Sequence, residues 1–492
     1  MDLILIFSVV ILHFIIVLFI GFSSYRAGTP TPEDYFMGSR TFSALTLVVS
    51  IYATNMTAFY MIGIPGMAYH KGIGVYGLVA FGTAIVTTAL YYLVGYRAWL
   101  IGKAKGYMTQ PEFYGKRWDS NAVSMVFFLL LTLFTVPYLA VSVMGGGLAV
   151  NLITRGTVSY GAGAFFIIAV VVAYVIAGGM RGTAWVNAYQ GFLFMIVGVA
   201  AFIFLGQKFG GFSEITSRVL AEKPALLMRT GNFTPKEMFS YLLISPLAVI
   251  VFPHVFMKLL IAKQAAGMKR LSFWYPIIVF LSWPPVIFVG IWGALLYPGL
   301  EGKASDKILP LMFGQHLPAL FSGLALAGIL AALTSSVDAM FLAISTMFTR
   351  DVLVKYFPCS LEGKEVKTGR IFIVVLAIVV FIIALFRPSS IFAIATFAFT
   401  GYAVAAPAMI GGLMWKRANK YGAMASLVIP TLLVPVFEFT EMLKWCQFGF
   451  LYNVPILALS VFLLVTVSLL TPPPDRKATD DFFAVLDKVY KK

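Results

Sequence analysis

Long uninterrupted apolar runs constrain the fold of this chain more than any other feature. Because lipid offers no hydrogen-bonding partner to a bare backbone group, such runs have to form helices. About 20 apolar residues are needed to cross a bilayer. The sequence therefore predicts an all-α polytopic membrane protein with about 13 transmembrane helices. The thirteen runs lie near residues 4–22, 43–69, 74–98, 122–152, 159–178, 184–207, 236–261, 272–297, 312–348, 370–386, 389–415, 421–440 and 449–471.

The composition of the chain excludes a soluble enzyme. Of its 492 residues, 60% are hydrophobic and 11% are charged, whereas soluble domains contain roughly 45–50% apolar and about 25% charged residues. A membrane-embedded enzyme would need clustered catalytic groups, but the four histidines lie on separate segments. No enzymatic activity is therefore expected. These histidines are His13, His70, His254 and His316.

The excess of basic residues predicts the orientation of the chain. If the N-terminus is outside, 25 of the 36 Lys and Arg residues, Lys258 among them, fall on inner loops or the tail. Cytoplasmic loops are enriched in such residues. We therefore expect a multi-pass cell-membrane protein with a cytoplasmic C-terminus. Under this interpretation the net charge of +16 reflects basic inner loops that set the orientation in the lipid bilayer. It does not predict a nucleic-acid partner. The tail at 472–492 is too short to be the output domain of a transporter-like sensor.

Two apolar runs are interrupted by polar and proline residues. The run at 43–69 contains Ala53-Thr54-Asn55-Met56-Thr57 and then Gly63-Ile64-Pro65-Gly66. Five segments later, the run at 236–261 contains Ser245-Pro246 and Phe252-Pro253-His254. Interruptions in corresponding segments favour two inverted repeats of five helices, with a binding site between the breaks. Ordinary proline kinks are the alternative.

A group of small polar residues marks the run at 312–348. Ala332, Ser335 and Ser336 stand at i, i+3 and i+4, so they share one helix face. Their neutral oxygens, together with carbonyls of a broken helix, suit a hard monovalent cation. The alternative is that the serines only allow two helices to pack closely.

Asp338 is the one acidic residue that the sequence places near mid-membrane. A carboxylate at that depth is a functional hypothesis by default, because it is costly without a cation, a proton or a donor. The structural alternative is a pairing with Asn187 or a hydroxyl group. For His254, a packing role is favoured over a proton relay.

Longer motifs resemble the sodium:solute symporter family over nearly the whole chain. Residues 33–40 are similar to the loop before the first core helix, and residues 345–351 to the inner end of the eighth. Residues 412–423 match the family signature on the tenth core helix. The resemblance implies a LeuT-like 5+5 inverted repeat with extra helices at both ends. The implied division is an N-terminal helix and loop at 1–42, repeats at 43–233 and 234–415, two C-terminal helices at 416–471 and a tail at 472–492.

The resemblance also implies two cation sites. The main Na+ site would use backbone oxygens of Ala53, Met56 and Ala332 and the hydroxyls of Ser335 and Ser336. A second site, for a cation or a proton, would use Thr54, Asn187 and Asp338 beside Ser335. Family members often carry Thr-Asp where this chain has Val186-Asn187. We hypothesise that the negative charge has moved across the pocket to Asp338. Na+ is favoured as the coupling ion, with H+ transport through Asp338 as the alternative.

The expected function is secondary active import of a small organic solute by alternating access. No organic cofactor and no obligatory protein partner are inferred. Residues 106–109, 136–141 and 252–254 resemble the monocarboxylate and pantothenate branches, so an organic acid is favoured over an amino acid such as proline or a sugar. The candidate substrate-binding residues are Asn55, Thr57, Phe59, Tyr60, Tyr138, Ser245, Phe399 and Tyr402.

Overall fold

The protein is helical throughout the part of the chain that the structure describes. The computed structural model describes residues 2–26, 31–40, 42–357, 363–440 and 444–490, and these ranges contain no strand. This confirms the predicted all-α polytopic fold. Within these ranges, ten helices are long and apolar enough to cross a membrane: Asp2–Arg26, Gly74–Lys105, Asn121–Ile153, Tyr160–Lys208, Ala265–Leu296, Ala319–Val354, Glu365–Phe386, Ile391–Met414, Lys420–Phe439 and Asn453–Leu470.

Two further spans consist of helix pairs bent by 52° at a short break. The first broken helix comprises Ala44–Asn55 and Phe59–Lys71, and the second comprises Pro235–Val251 and Pro253–Leu260. Both lie in the apolar runs that the sequence marks as interrupted. The equal bends are those expected of two related repeats, although the boundaries of the repeats stay a prediction.

The first residue after each broken half-helix has a non-helical backbone. Met56 has φ −89° and ψ 80°, and Phe252 has φ −49° and ψ 123°. Pro253 then starts the next helix, a position where a missing N–H costs no intrahelical bond. Pro65 and Pro246, by contrast, lie inside continuous helical turns. The breaks therefore fall at Met56 and Phe252.

The helix Tyr160–Lys208 contains two of the thirteen predicted segments. Its 49 residues would extend about 73 Å at 1.5 Å per residue, more than twice the roughly 30 Å hydrocarbon core. Gly179 interrupts it with φ 52° and ψ −148°, a conformation that glycine adopts readily. This kink separates the predicted segments at 159–178 and 184–207. The count of thirteen stays a prediction.

Among the ten long spans of the described ranges, the most enclosed one contains the helix Ala319–Met347, hereafter the serine helix. Every residue from Ala325 to Met347 is buried. It packs most extensively against the spans Asp2–Arg26, Asn121–Ile153 and Tyr160–Lys208. Polar groups on the serine helix therefore face protein and not lipid.

Shorter helices lie between and after the spans. They are Pro32–Met37, Gln110–Arg117, Phe212–Glu222, Ile308–His316 and Arg476–Tyr490. The last of these forms the predicted tail, of which residues 491 and 492 lie outside the described residues. Its buried Phe483 ring lies 4.9 Å from the Arg117 guanidinium, and Lys105 forms a 2.7 Å ion pair with Asp481.

Gly290, in the helix Ala265–Leu296, allows a close approach to the backbone of the first broken helix. A Cβ atom at Gly290 would lie directly against the Pro65 carbonyl oxygen and 2.9 Å from Pro65 Cα. Because a backbone cannot turn away as a side chain can, we expect Gly290→Ala to destabilise the protein by about 1–3 kcal/mol. Thermal unfolding of the purified protein would measure this effect. Gly198→Ala is the matched control, since a Cβ there meets nothing within 4 Å. Equal effects of both substitutions would contradict the proposed close approach.

Candidate functional site

The first break meets the serine helix at a group of neutral oxygens. The Ser335 hydroxyl is 2.9 Å from the Ala53 carbonyl oxygen and 2.8 Å from the Ala332 carbonyl oxygen. All three residues are fully buried. Ala53 lies one turn before the break, so its carbonyl is in position to leave the helical ladder. Two carbonyls converging on one hydroxyl are chemically suited to a hard monovalent cation such as Na+.

The other two residues of the predicted main site have different positions. Met56 is the residue at which the half-helix Ala44–Asn55 ends, and its N–H donates to the Ala53 carbonyl at 3.2 Å. The Ser336 hydroxyl donates to the Leu333 carbonyl at 2.8 Å and is 3.4 Å from the Ser142 hydroxyl. The contacts thus bring Ala53, Ala332, Ser335 and Met56 together directly, whereas Ser336 contacts a neighbouring helix.

The predicted second site forms a connected polar network. The Asn187 side-chain NH2 is 3.2 Å from the Thr54 hydroxyl and 3.3 Å from Asp338 Oδ1. The Tyr174 hydroxyl donates to Asp338 Oδ2 at 3.0 Å. All four residues are fully buried. The amide and hydroxyl partners that the sequence offered as a structural alternative for Asp338 are therefore both present.

Lys258 also belongs to this network, although the distribution of basic residues predicts an inner loop for it. That assignment is wrong, since Lys258 lies in the half-helix Pro253–Leu260 and is only 1% exposed. Its ammonium group donates to the Thr54 hydroxyl, to the Ser50 hydroxyl at 2.8 Å and to the Ser50 carbonyl at 3.2 Å. The sequence contains a signal for this burial, because Lys258 is a single lysine within an apolar segment. Its neighbours are Val255, Phe256, Met257, Leu259 and Leu260.

An aromatic cluster surrounds the second break. The Phe252 ring lies 5.4 Å from the rings of both Tyr138 and Phe399 and 4.8 Å from the ring of Tyr402. Phe59, next to the first break, lies 4.9 Å from Phe399. The structure thus brings four predicted substrate residues together. Phe252 was quoted in the sequence only as part of the break, and its ring joins these four.

Of the remaining candidates, Thr57 joins the cluster and three residues lie outside it. The Thr57 and Tyr138 hydroxyls are 2.9 Å apart. Asn55 donates to the Tyr91 and Tyr275 hydroxyls, the Tyr60 hydroxyl donates to the Ser282 carbonyl, and the Ser245 and Thr83 hydroxyls are 3.5 Å apart. A cavity of about 10 Å³ between Phe59, Ser245, Trp283 and Phe399 has room for about one water.

His254 follows directly after the second break and is 1% exposed. Its ring is stacked on Phe252, with centroids 5.1 Å apart. Within the described residues, neither ring nitrogen has a hydrogen-bond partner. The contact with Phe252 agrees with the packing role that the sequence favours for His254. The ring nitrogens also lie beside the aromatic cluster, where a solute could bond to them.

Asp306, in the short 3-10 helix Gly302–Lys307, caps the helix Ile391–Met414. Its Oδ2 accepts the Ile391 N–H at 2.9 Å, and burial raises the pKa of its carboxyl from 3.8 to about 7. A raised pKa in the folded state favours the protonated form, so this group's contribution to stability is complete below about pH 4 and is lost towards pH 7.

We therefore expect Asp306→Asn, which keeps the acceptor oxygen but cannot ionise, to raise the melting temperature at pH 8 more than at pH 5. Melting curves of both proteins between pH 5 and pH 8 would measure this difference. A constant offset across that pH range would contradict the assigned titration.

Comparison with known proteins identifies the family. The model of the sodium:solute symporter family matches residues 35–429. The chain belongs to the sodium:solute symporter family. It is 27% identical to the osmoregulated proline transporter OpuE of Bacillus subtilis (strain 168), an alignment covering 98% of each chain. It is 24% identical to a sodium/proline symporter of Haemophilus influenzae over 96% of each chain.

Two solved structures show that this family member has a LeuT-like fold. One is a substrate-bound, outward-open Na+-coupled sialic acid symporter, with a TM-score of 0.78, 20% identity and coverage of 96% of this chain and 99% of that one. The other is Mhp1, a nucleobase-cation-symport-1 family transporter in a closed conformation, with a TM-score of 0.60, 14% identity and coverage of 92% and 99%.

Proposed function

We propose that the protein is a Na+-coupled symporter that imports proline, or a closely similar small carboxylate-bearing solute, across the cell membrane. The observation that carries this proposal is the convergence of the Ala53 and Ala332 carbonyls on the Ser335 hydroxyl beside the first break. Na+ would be held there by these oxygens, with Met56 and Ser336 completing the set. Bound Na+ would supply a fixed positive charge that joins the two helices.

The aromatic cluster suits the apolar ring of proline. Phe59, Tyr138, Phe252, Phe399 and Tyr402 offer ring faces around the second break. The half-helix Pro253–Leu260 begins at this break, and a helix N-terminus attracts a carboxylate. Proline and the organic acids favoured by the sequence share that carboxylate. The named proline-transporter relatives favour proline.

Alternating access requires these elements to move. The cavity of about 10 Å³ beside Phe59 and Phe399 is smaller than any of these solutes, since only about one water fits such a space. Opening must therefore separate aromatic rings that are now in contact. The proposed orientation has the N-terminus outside and the C-terminus in the cytoplasm, as the distribution of basic residues predicts.

Uptake into proteoliposomes tests this function. Purified protein would be given an imposed Na+ gradient and, separately, a proton gradient, with labelled proline, lactate, pyruvate, propionate, pantothenate and glucose. We expect proline uptake under the Na+ gradient and none for glucose. Uptake of lactate or pyruvate but not of proline would contradict proline as the substrate. Uptake under the proton gradient alone would contradict Na+ as the coupling ion.

A further inference from the structure

Lys258 places its ammonium group where a second coupling cation would bind. We propose that its ammonium group is a built-in cation that fills the second site, so that the transporter binds one Na+ and not two. This inference rests on the proposed Na+ coupling.

The oxygen of Thr54 is already saturated. A hydroxyl has one proton to donate and two lone pairs to accept with. The Thr54 hydroxyl donates to the Ser50 carbonyl at 2.7 Å and accepts from Asn187 and from Lys258. No lone pair is left for Na+. The Ser50 carbonyl and hydroxyl, which could have completed a cation shell, also face the ammonium group.

The charge of the network is balanced without a bound ion. Asp338 is connected to Lys258 through the side chains of Asn187 and Thr54, and its own oxygens accept from Tyr174 and Asn187. One positive and one negative charge, both fully enclosed, give a neutral site. A Na+ added to this site would create an uncompensated buried charge, which costs several kcal/mol. The fixed ammonium group therefore disfavours a second cation.

Asn187 fits the same interpretation. An amide can donate to both Thr54 and Asp338, which a carboxylate at this position could not do. A carboxylate would also add a second negative charge and restore the attraction for a cation. An amide at 187, a carboxylate at 338 and an ammonium at 258 thus form one complementary set.

Counting bound Na+ tests the inference independently of transport. Equilibrium binding of radioactive ²²Na+ to the purified full-length protein should give one ion per chain. We expect Lys258→Ala, which leaves Asp338 without its counter-charge, to bind two. Lys258→Arg keeps the charge and should bind one, and the double variant Lys258→Ala/Asp338→Asn, which removes both charges, should also bind one.

The outcomes separate this inference from the proposed function. Two ions in the wild type would overturn the inference and leave Na+ coupling intact. One ion in a monodisperse Lys258→Ala protein would also overturn it. Lys258→Met, which removes both the charge and the hydrogen-bond donor but keeps a long side chain, serves as a second test if the alanine variant does not fold; a count of two is expected there as well. No bound Na+ in the wild type would overturn the Na+ coupling itself.

Discussion

Asp338→Asn is expected to lower the free energy of unfolding by about 3 kcal/mol, because it leaves the Lys258 ammonium buried without a counter-charge. Both side chains are almost completely enclosed, Lys258 at 1% and Asp338 at 0% exposure. The substitution preserves the size of the side chain, so the loss reports charge and not packing. Chemical or thermal unfolding of the purified protein in detergent would measure the effect.

Two rescue variants distinguish a charge effect from simple damage. Adding Asn187→Asp to Asp338→Asn returns one carboxylate to a position that now contacts Asp338 at 3.3 Å, and should recover most of the stability. Lys258→Met/Asp338→Asn removes both charges and should also recover it, since neutral replacements of a buried pair are often tolerated. If neither double variant is more stable than Asp338→Asn alone, the charges of Lys258 and Asp338 are not coupled.

The same Asn187→Asp/Asp338→Asn exchange tests whether the negative charge has moved across the pocket. In uptake assays, Asp338→Asn alone should lose most Na+-driven transport and the exchange should regain it. Full transport by the single variant would contradict the relocation hypothesis.

Much of the fold could be predicted because lipid makes local sequence decisive. Apolar runs have to be helical in a membrane, so long segments without charged residues identify the membrane-spanning helices. The break at Phe252 was also readable, since Pro253 lacks a backbone donor. Pro65 and Pro246 gave the same local signal but lie within helices. A proline allows a break, and the packing around it decides whether one forms.

The network at Asp338 was only partly predictable. Asn187 and Thr54 were named, but Tyr174 and Lys258 were not assigned to the site. Tyr174 is separated from Asp338 by 164 positions along the chain, and nothing local indicates that they meet. Lys258 lies near the end of an apolar run, where a basic residue is usually a loop or interface residue. Its burial follows from how the half-helix Pro253–Leu260 packs against the first broken helix, which is a tertiary property.

Ser335→Ala is expected to raise the Na+ concentration for half-maximal uptake by about 10–100-fold. The proposed main site is built around this hydroxyl, which lies within 3 Å of the Ala53 and Ala332 carbonyls. Losing one hydrogen-bonding or ligand contact to a charged group costs about 1.5–3 kcal/mol, and each 1.4 kcal/mol is a factor of ten in affinity. The Na+ dependence of solute uptake and direct ²²Na+ binding would both report the change.

Ser345→Ala on the same helix provides the matched control. Its hydroxyl is equally buried and donates to the Gly369 carbonyl at 2.8 Å, far along the helix from the first break. That substitution should lower stability by about 1 kcal/mol and leave the Na+ dependence unchanged. Since both variants remove one buried hydroxyl, only a cation at Ser335 explains a selective loss of Na+ affinity there. Equal shifts of the Na+ dependence in both variants would show that the Ser335 hydroxyl serves helix packing, which is the other common role of serine pairs in membrane helices.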